Sequence, residues 1–381
     1  MLQDERRHNE LIVVSLFVFG IILSILLISL AFNDHFFLAP KDDAEKYYRM
    51  SYDVFEKVGG NQQGRILVPL LVYLLPIDHY AGFGAVNLIS LFLLGILFYY
   101  YIKKLNFGRI EAVAGVLLLL LSPTMIYTTR NICLVDIPSF LFILIAFYAM
   151  LIRNEKLYLI ILIIGVLNKE TILLTLPVYF FYRLSNSNAI TAFKSTTIVA
   201  IPALILFAAM KIFLQPPPVP AESLIKAVFA YYKSVGPLYL ISQTYMPFGS
   251  LWLLNIANLK QIDNLFLKVS IYIMTLVVLI ETTLLGGTDV FRIIFILFPI
   301  IIPISLYSFK IKYPSIITYS IFFVTILFMI VSVIYIRHSV LTEVGTFSAY
   351  YSNLFQILVL TILVASQLKN RDRSFKMLTP Q

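Results

Sequence analysis

The sequence predicts an all-α polytopic membrane protein of about twelve crossings, with an amphipathic helix lying on the outer face after the first span. Three observations lead there. Hydrophobic residues make up 60% of the 381 and charged residues 13%, against about 45–50% and ~25% in soluble domains. Apolar runs of roughly 20 residues recur, the length that crosses a bilayer core. Lys and Arg stand between those runs and form no patch, so the net charge of +9 is loop charge and excludes a nucleic-acid surface. Cys133 is the sole cysteine; it forms no intramolecular disulfide and leaves the compartment open.

The elements follow in chain order. Leu11 to Phe32 forms the first span. A cleavable signal peptide has a shorter apolar region, although Ser29-Leu30-Ala31 resembles a cleavage site. Residues 33–82 then form an outer-face loop containing an amphipathic helix over 42–58, and Arg65 to Asp78 lies on that face or dips into it. Further spans fall at about 83–102, 111–128, 134–152, 195–214, 238–257, 267–285, 291–309, 314–336 and 349–367. Between 157 and 183, two half-length apolar pieces are split by Asn168-Lys169-Glu170. Tyr158 to Leu167 rises only ~15 Å, so the pair reads as a hairpin of short helices. Residues 215–237, with Pro216-Pro217-Pro218, form a second outer loop, and 1–381 makes one membrane domain.

The positive-inside rule supports this threading. With both termini in the cytoplasm, 17 Lys and Arg fall inside and 12 outside, whereas acids divide 7 to 13. Counting 65–80 as a crossing would put Lys103, Lys104 and Arg109 outside. No repeat, direct or inverted, is visible, which weighs against a secondary transporter.

The unusual polar residues collect on the outer side: Asp42 and Asp43; Arg65; Arg130 and Asp136; Asn168, Lys169 and Glu170; Asp289 and Arg292; Arg337, His338 and Glu343. Ionisable groups near membrane depth are costly unless paired or solvated, so their grouping suggests a polar cavity; wetted loops are the plainer reading. In 42–58, Ala44, Tyr47, Tyr48, Ser51, Phe55 and Val58 share a face. Asp42–Lys46, Glu45–Arg49 and Asp53–Lys57 have the favoured i,i+4 orientation. Asp42 and Glu45 also resemble a capping box. Asp43 has no such role, which makes it the better candidate for acid–base chemistry, against a plain surface acid. Lys169 and Glu170 point about 100° apart on a helix; they form a buried ion pair with another helix or present a cation and an acid at a break. Asp289 and Arg292 form a cap with an i,i+3 salt bridge, or Arg292 faces a phosphate with the planar fork suited to it. His8, His35, His79 and His338 are scattered, so a zinc site is not expected. No phosphate-binding P-loop or nucleophile-elbow motif occurs.

Three of these segments together resemble the GT-C class of polytopic glycosyltransferases. Asp43-Ala44-Glu45-Lys46-Tyr47 is similar to that class's D-x-x-x-Y pattern, and Arg65-Ile66-Leu67-Val68-Pro69 to an R-x-L-x-P stretch common in prokaryotic members. Lys169-Glu170-Thr171 with Pro177 resembles their R/K-E-T…P segment, and Asp289-Val290-Phe291-Arg292 with Pro299 their D-x-x-R…P ending. The resemblance spans roughly 40 to 300. It implies a prokaryotic plasma-membrane enzyme with its site facing outside. A sugar would move with inversion from a polyprenyl-phosphate donor to a glycan, lipid or protein acceptor. Asp43 would serve as general base, with Asp42 and Glu170 as further catalytic candidates. Arg65, Lys169 and Arg292 would hold the donor phosphate, and Tyr47, Arg130, Asp136 and Asp289 complete the candidate site. No cofactor follows, though a divalent cation stays open, and the remaining partners are membrane lipids. An outer-leaflet polysaccharide polymerase and a transporter or flippase of lipid-linked sugars are the alternatives.

Overall fold

The computed structural model describes residues 2–32, 37, 39–214, 243–282 and 290–310, with the single positions 226, 229, 230, 233, 323, 325 and 326. Among these, every regular element is a helix. Among the described residues, four helices are long and apolar enough to cross a membrane: His8–Ile28, His79–Lys104, Ala189–Leu214 and Val290–Phe309. The predicted span 349–367, most of 314–336 and of loop 215–237, Asp289, and the group Arg337, His338 and Glu343 lie outside the described residues.

Helix α1 (Leu2–Phe32) leaves Leu11, Ile12, Leu16 and Phe19 exposed and packs Val14, Val18 and Ile22 into the core. Beyond it, α2 (Asp43–Met50) and α3 (Leu67–Leu74) cover the start of α4 (His79–Lys104). This layer has its own small core of Ala44, Tyr47, Met50, Val68, Val72 and Phe83. With eight residues, α3 rises ~12 Å, far too little to cross.

The predicted span 111–128 is broken. Helices α5 (Arg109–Leu120) and α6 (Pro123–Arg130) meet at 51°. Ser122 accepts from the Met125 N–H at 3.2 Å, and Pro123 opens α6 without an N–H to lose. A new helix therefore starts inside a run that averaged hydropathy reads as one span. Next come α7 (Asp136–Leu151), α8 (Glu155–Asn168), a 3-10 turn at Glu170–Leu174, α9 (Thr175–Leu184) and α10 (Ala189–Leu214). The segments 155–184 double back as expected: the Tyr158 hydroxyl meets Thr175 Oγ1 at 2.9 Å, and its ring stacks on Tyr179. Gly165 permits the fold-back, since a Cβ there would press on Ile172 Cγ1 at 3.0 Å.

Later come α11 (Leu251–Asn258), α12 (Leu265–Ile280), α13 (Val290–Ile294) and α14 (Phe298–Lys310). The span expected over 238–257 is not one helix, because residues 246–250 form a turn before α11. Helices α13 and α14, joined by a 3-10 turn, make the central span. Its apolar stretch is 94% buried, against 22% for those of α1 and α10. Pro303 lies inside α14 and has no N–H for the carbonyl four residues back. That carbonyl, on Pro299, accepts instead from the Tyr101 hydroxyl at 2.9 Å. Asn255 and Asn258 likewise reach the Ile301 and Ile304 carbonyls and tie α11 to α14.

Candidate active site

The segment before α2 is a tight turn rather than a capping box. Asp42 has φ 52° and ψ −117°, and the Ala44 N–H reaches the Lys41 carbonyl at 3.0 Å. This is the first central position of a II′ turn, which Gly, Asn and Asp tolerate best. The Asp42 carboxylate is exposed and makes no cap bond to α2. The expected helix over 42–58 ends at Met50; Met50 and Val54 are buried and Phe55 is exposed. The three predicted i,i+4 pairs are replaced as well: Arg49 binds Glu56, Lys46 lies 4.0 Å from Asp43, and Asp53 accepts from the Phe55 N–H. The turn at 51–58 brings Glu56 closer to Arg49 than a continuing helix would.

Asp43 opens α2 and faces inward. Its Oδ1 accepts from Gln62 Nε2 at 2.6 Å, and its Oδ2 lies 3.6 Å from an Arg292 nitrogen. Gln62 gets there through Gly59 and Gly60, which take φ of 75° and 71°; Gly tolerates this region without strain. A side chain on Gly60 would collide with Gln62 Oε1. The 3-10 turn Asn61–Gly64 then delivers Arg65. Arg65 grips Glu170 with two N–H···O bonds of 3.0 and 2.6 Å and donates a third to the Tyr47 hydroxyl at 2.8 Å.

A second group begins at the first residue of α7. Asp136 is 2% exposed and accepts from Lys169 Nζ on Oδ1 at 2.6 Å and from Arg292 Nη1 on Oδ2 at 2.9 Å. Lys169 has left the helix for an extended backbone, so its side chain turns toward α7 while Glu170 meets Arg65. Asn168 secures the break by donating to the Val135 carbonyl and to Ser139 Oγ. Lys169 and Glu170 each form an ion pair with another segment, as the first sequence alternative has it, and both stand at a helix break. Arg292 pairs with Asp136 and Asp43, while the expected partner Asp289 lies outside the described residues.

The outcome is one ionic network at one end of the bundle, built from 43–47, 62–65, 136, 168–170 and 292. Three acids (Asp43, Asp136, Glu170) face three cations (Arg65, Lys169, Arg292). Asp43 and Glu170 are similarly exposed, at 31% and 29%, and Asp136 is buried; Asp43 is set apart by having the longest ionic contacts. Arg130 is buried in the last turn of α6. Sequence reasoning missed Gln62, an uncharged residue outside every motif, and Glu281 at the end of α12, which lies within electrostatic reach of Glu170 and Lys169.

The donor set does not fit a divalent cation. Each acid is already held by cations, and among the described residues no three His, Cys, Asp or Glu converge. Comparison with protein-family models, with curated proteins and with solved structures finds no match for the chain.

Burial opposes ionisation of Glu170, in the turn between the two helices, but the adjoining Arg65 guanidinium outweighs it and draws the carboxyl down to about 2. A depressed carboxyl stabilises the fold fully above its unfolded value, ~4.3. That contribution is lost as pH falls from there through about 2. The melting temperature of the wild type should therefore drop between pH 5 and 3 more than that of Glu170→Gln. Equal slopes would remove the pair from the acid response.

Proposed function

We propose that the chain is an inverting membrane glycosyltransferase that moves a sugar from a polyprenyl-phosphate donor to an acceptor hydroxyl at the outer face of a prokaryotic plasma membrane. The observation that carries the reading is the convergence of Asp43, Arg65, Lys169–Glu170 and Arg292, far apart in sequence, into one network. The full threading with about twelve crossings and cytoplasmic termini belongs to the same proposal.

Asp43 takes the hydroxyl proton as general base. The hydroxyl oxygen attacks the anomeric carbon as its bond to the phosphate oxygen breaks, and the lipid phosphate leaves with its negative charge. One displacement inverts the anomeric centre. Arg292 and Lys169 stabilise the leaving phosphate, and Arg65 fixes the break that presents Lys169. Asp136 holds Lys169 and Arg292 on its two oxygens, so those cations are set side by side before donor arrives. Glu170 is read as an anchoring residue rather than a catalytic one, because Arg65 donates to both of its oxygens. Asp42, exposed in its turn, leaves the base role to Asp43.

Donor binding tests the phosphate role. Arg292→Ala should weaken binding of a polyprenyl-phosphate sugar about tenfold or more in protein that remains folded, and Arg292→Lys should restore little if forked geometry matters. A lower melting temperature with unchanged donor affinity would return Arg292 to the scaffold.

A further inference from the structure

At the far end of α7, α8 and α9 a second polar site is built from the ends of three helices. The 16 residues of α7 and the 14 of α8 place it ~21–24 Å from the ionic network. A cavity of about 120 Å³ opens there, lined by Arg153, Glu155, Tyr158, Tyr179, Tyr182, Arg183, Asn186 and Ser187, among others. At ~30 Å³ for each water in the liquid, that is room for one phosphate-sized group with a water or two.

Two arginines and one acid face this space. Arg183 spends one nitrogen on Glu155 at 3.1 Å and another on Ser195 Oγ at 3.3 Å, while its Nε–H is buried with no acceptor among the described residues. A buried guanidinium N–H without an acceptor is costly, so the site lacks one acceptor. Glu155 is 43% exposed, and an ion pair this open exchanges readily for a better acceptor. Arg153 sits in the tight turn between α7 and α8 with a left-handed φ of 58°, a conformation that disfavours arginine over Gly or Asn. Its guanidinium reaches toward Asn186 Oδ1 at a long 3.5 Å. That φ belongs to the helix cap that ends α7, where the Asn154 N–H reaches the Ala149 carbonyl at 2.9 Å and the Arg153 N–H the Met150 carbonyl at 3.1 Å, and it holds Arg153 at the edge of the cavity.

We propose that this cavity binds a phosphate-bearing anion, with Arg183 and Arg153 as its two cationic walls and the Ser187 and Tyr182 hydroxyls as further partners. Such an anion has two sources, the headgroup of an anionic phospholipid or a soluble phosphate. Because α7 carries Asp136 and α8 runs up to Lys169, an occupant would also clamp the helices that hold the network.

The test titrates purified full-length protein with phosphatidylglycerol, phosphatidylcholine and inorganic phosphate, reading bound molecules by native mass spectrometry. Wild type should retain phosphatidylglycerol at least about tenfold more tightly than phosphatidylcholine. Arg183→Gln and Arg153→Gln should each remove most of that preference, and Lys156→Gln, outside the cavity, should not. Saturable binding of inorganic phosphate, lost in the same variants, would support the site with a soluble anion as its ligand. Arg153 is exposed, so its variant keeps the test sound if Arg183→Gln fails to fold. Equal phosphatidylglycerol retention in wild type and Arg153→Gln, with no phosphate binding, would overturn the proposal.

Discussion

Asp43→Asn is expected to cut sugar transfer by ~10²–10⁴-fold, the usual worth of a positioned general base, without unfolding the protein. Asparagine has nearly the same shape and still offers an oxygen to Gln62 Nε2, so the bond that aims the side chain survives. What disappears is the capacity to take a proton. The neighbouring acid supplies the control. Asp42 occupies a II′ turn position with φ 52°, so Asp42→Gly should leave transfer near the wild-type rate and hold or slightly raise the melting temperature. Initial rates of the three proteins at matched folded concentration check both statements. A large loss at Asp42, or retained activity in Asp43→Asn, would reject Asp43 as the base.

The largest expected effect on stability is at Asp136. Its carboxylate is 2% exposed and holds two cations that are themselves 14% and 10% exposed. Removing one partner from a buried ionic group leaves the others uncompensated, at a cost of ~3–5 kcal/mol. Asp136→Ala should therefore unfold at a markedly lower temperature, and Asp136→Asn, which keeps one acceptor oxygen, should fall between. The exposed pair Arg49–Glu56, cut by Glu56→Ala, should cost about 1 kcal/mol or less. A melting temperature for Asp136→Ala close to the wild type would mean that water already screens Lys169 and Arg292.

Much of this architecture is legible in the residues. Hydropathy marks α1, α4, α10 and the central span because lipid-length apolar runs have few other uses. The Asn168-Lys169-Glu170 break is equally plain, since three polar residues interrupt an apolar run. Other features are set by single hydrogen bonds that periodicity cannot show. Ser122 and Pro123 break α5 from α6, although averaged hydropathy still reads the pair as one span. The helix expected over 42–58 stops at Met50 because the chain turns to bury Ser51 and Val54 against the layer beneath. The candidate charges were readable as residue types, but their partners were not: Lys169 meets Asp136, not Glu170, because it sits in extended backbone. Gln62 carried no charge to attract notice; two successive glycines just before it were its only trace.

The central claim, that this network transfers a sugar from a lipid phosphate, is tested most directly by lipid phosphate release. Purified protein is incubated with a panel of polyprenyl-phosphate hexoses and a hydroxyl acceptor, and free polyprenyl phosphate is measured with the anomeric configuration of the product. The account predicts release from at least one donor, an inverted product, and loss of both in Asp43→Asn. Release that persists undiminished in Asp43→Asn, or a product that retains the donor's configuration, would contradict it.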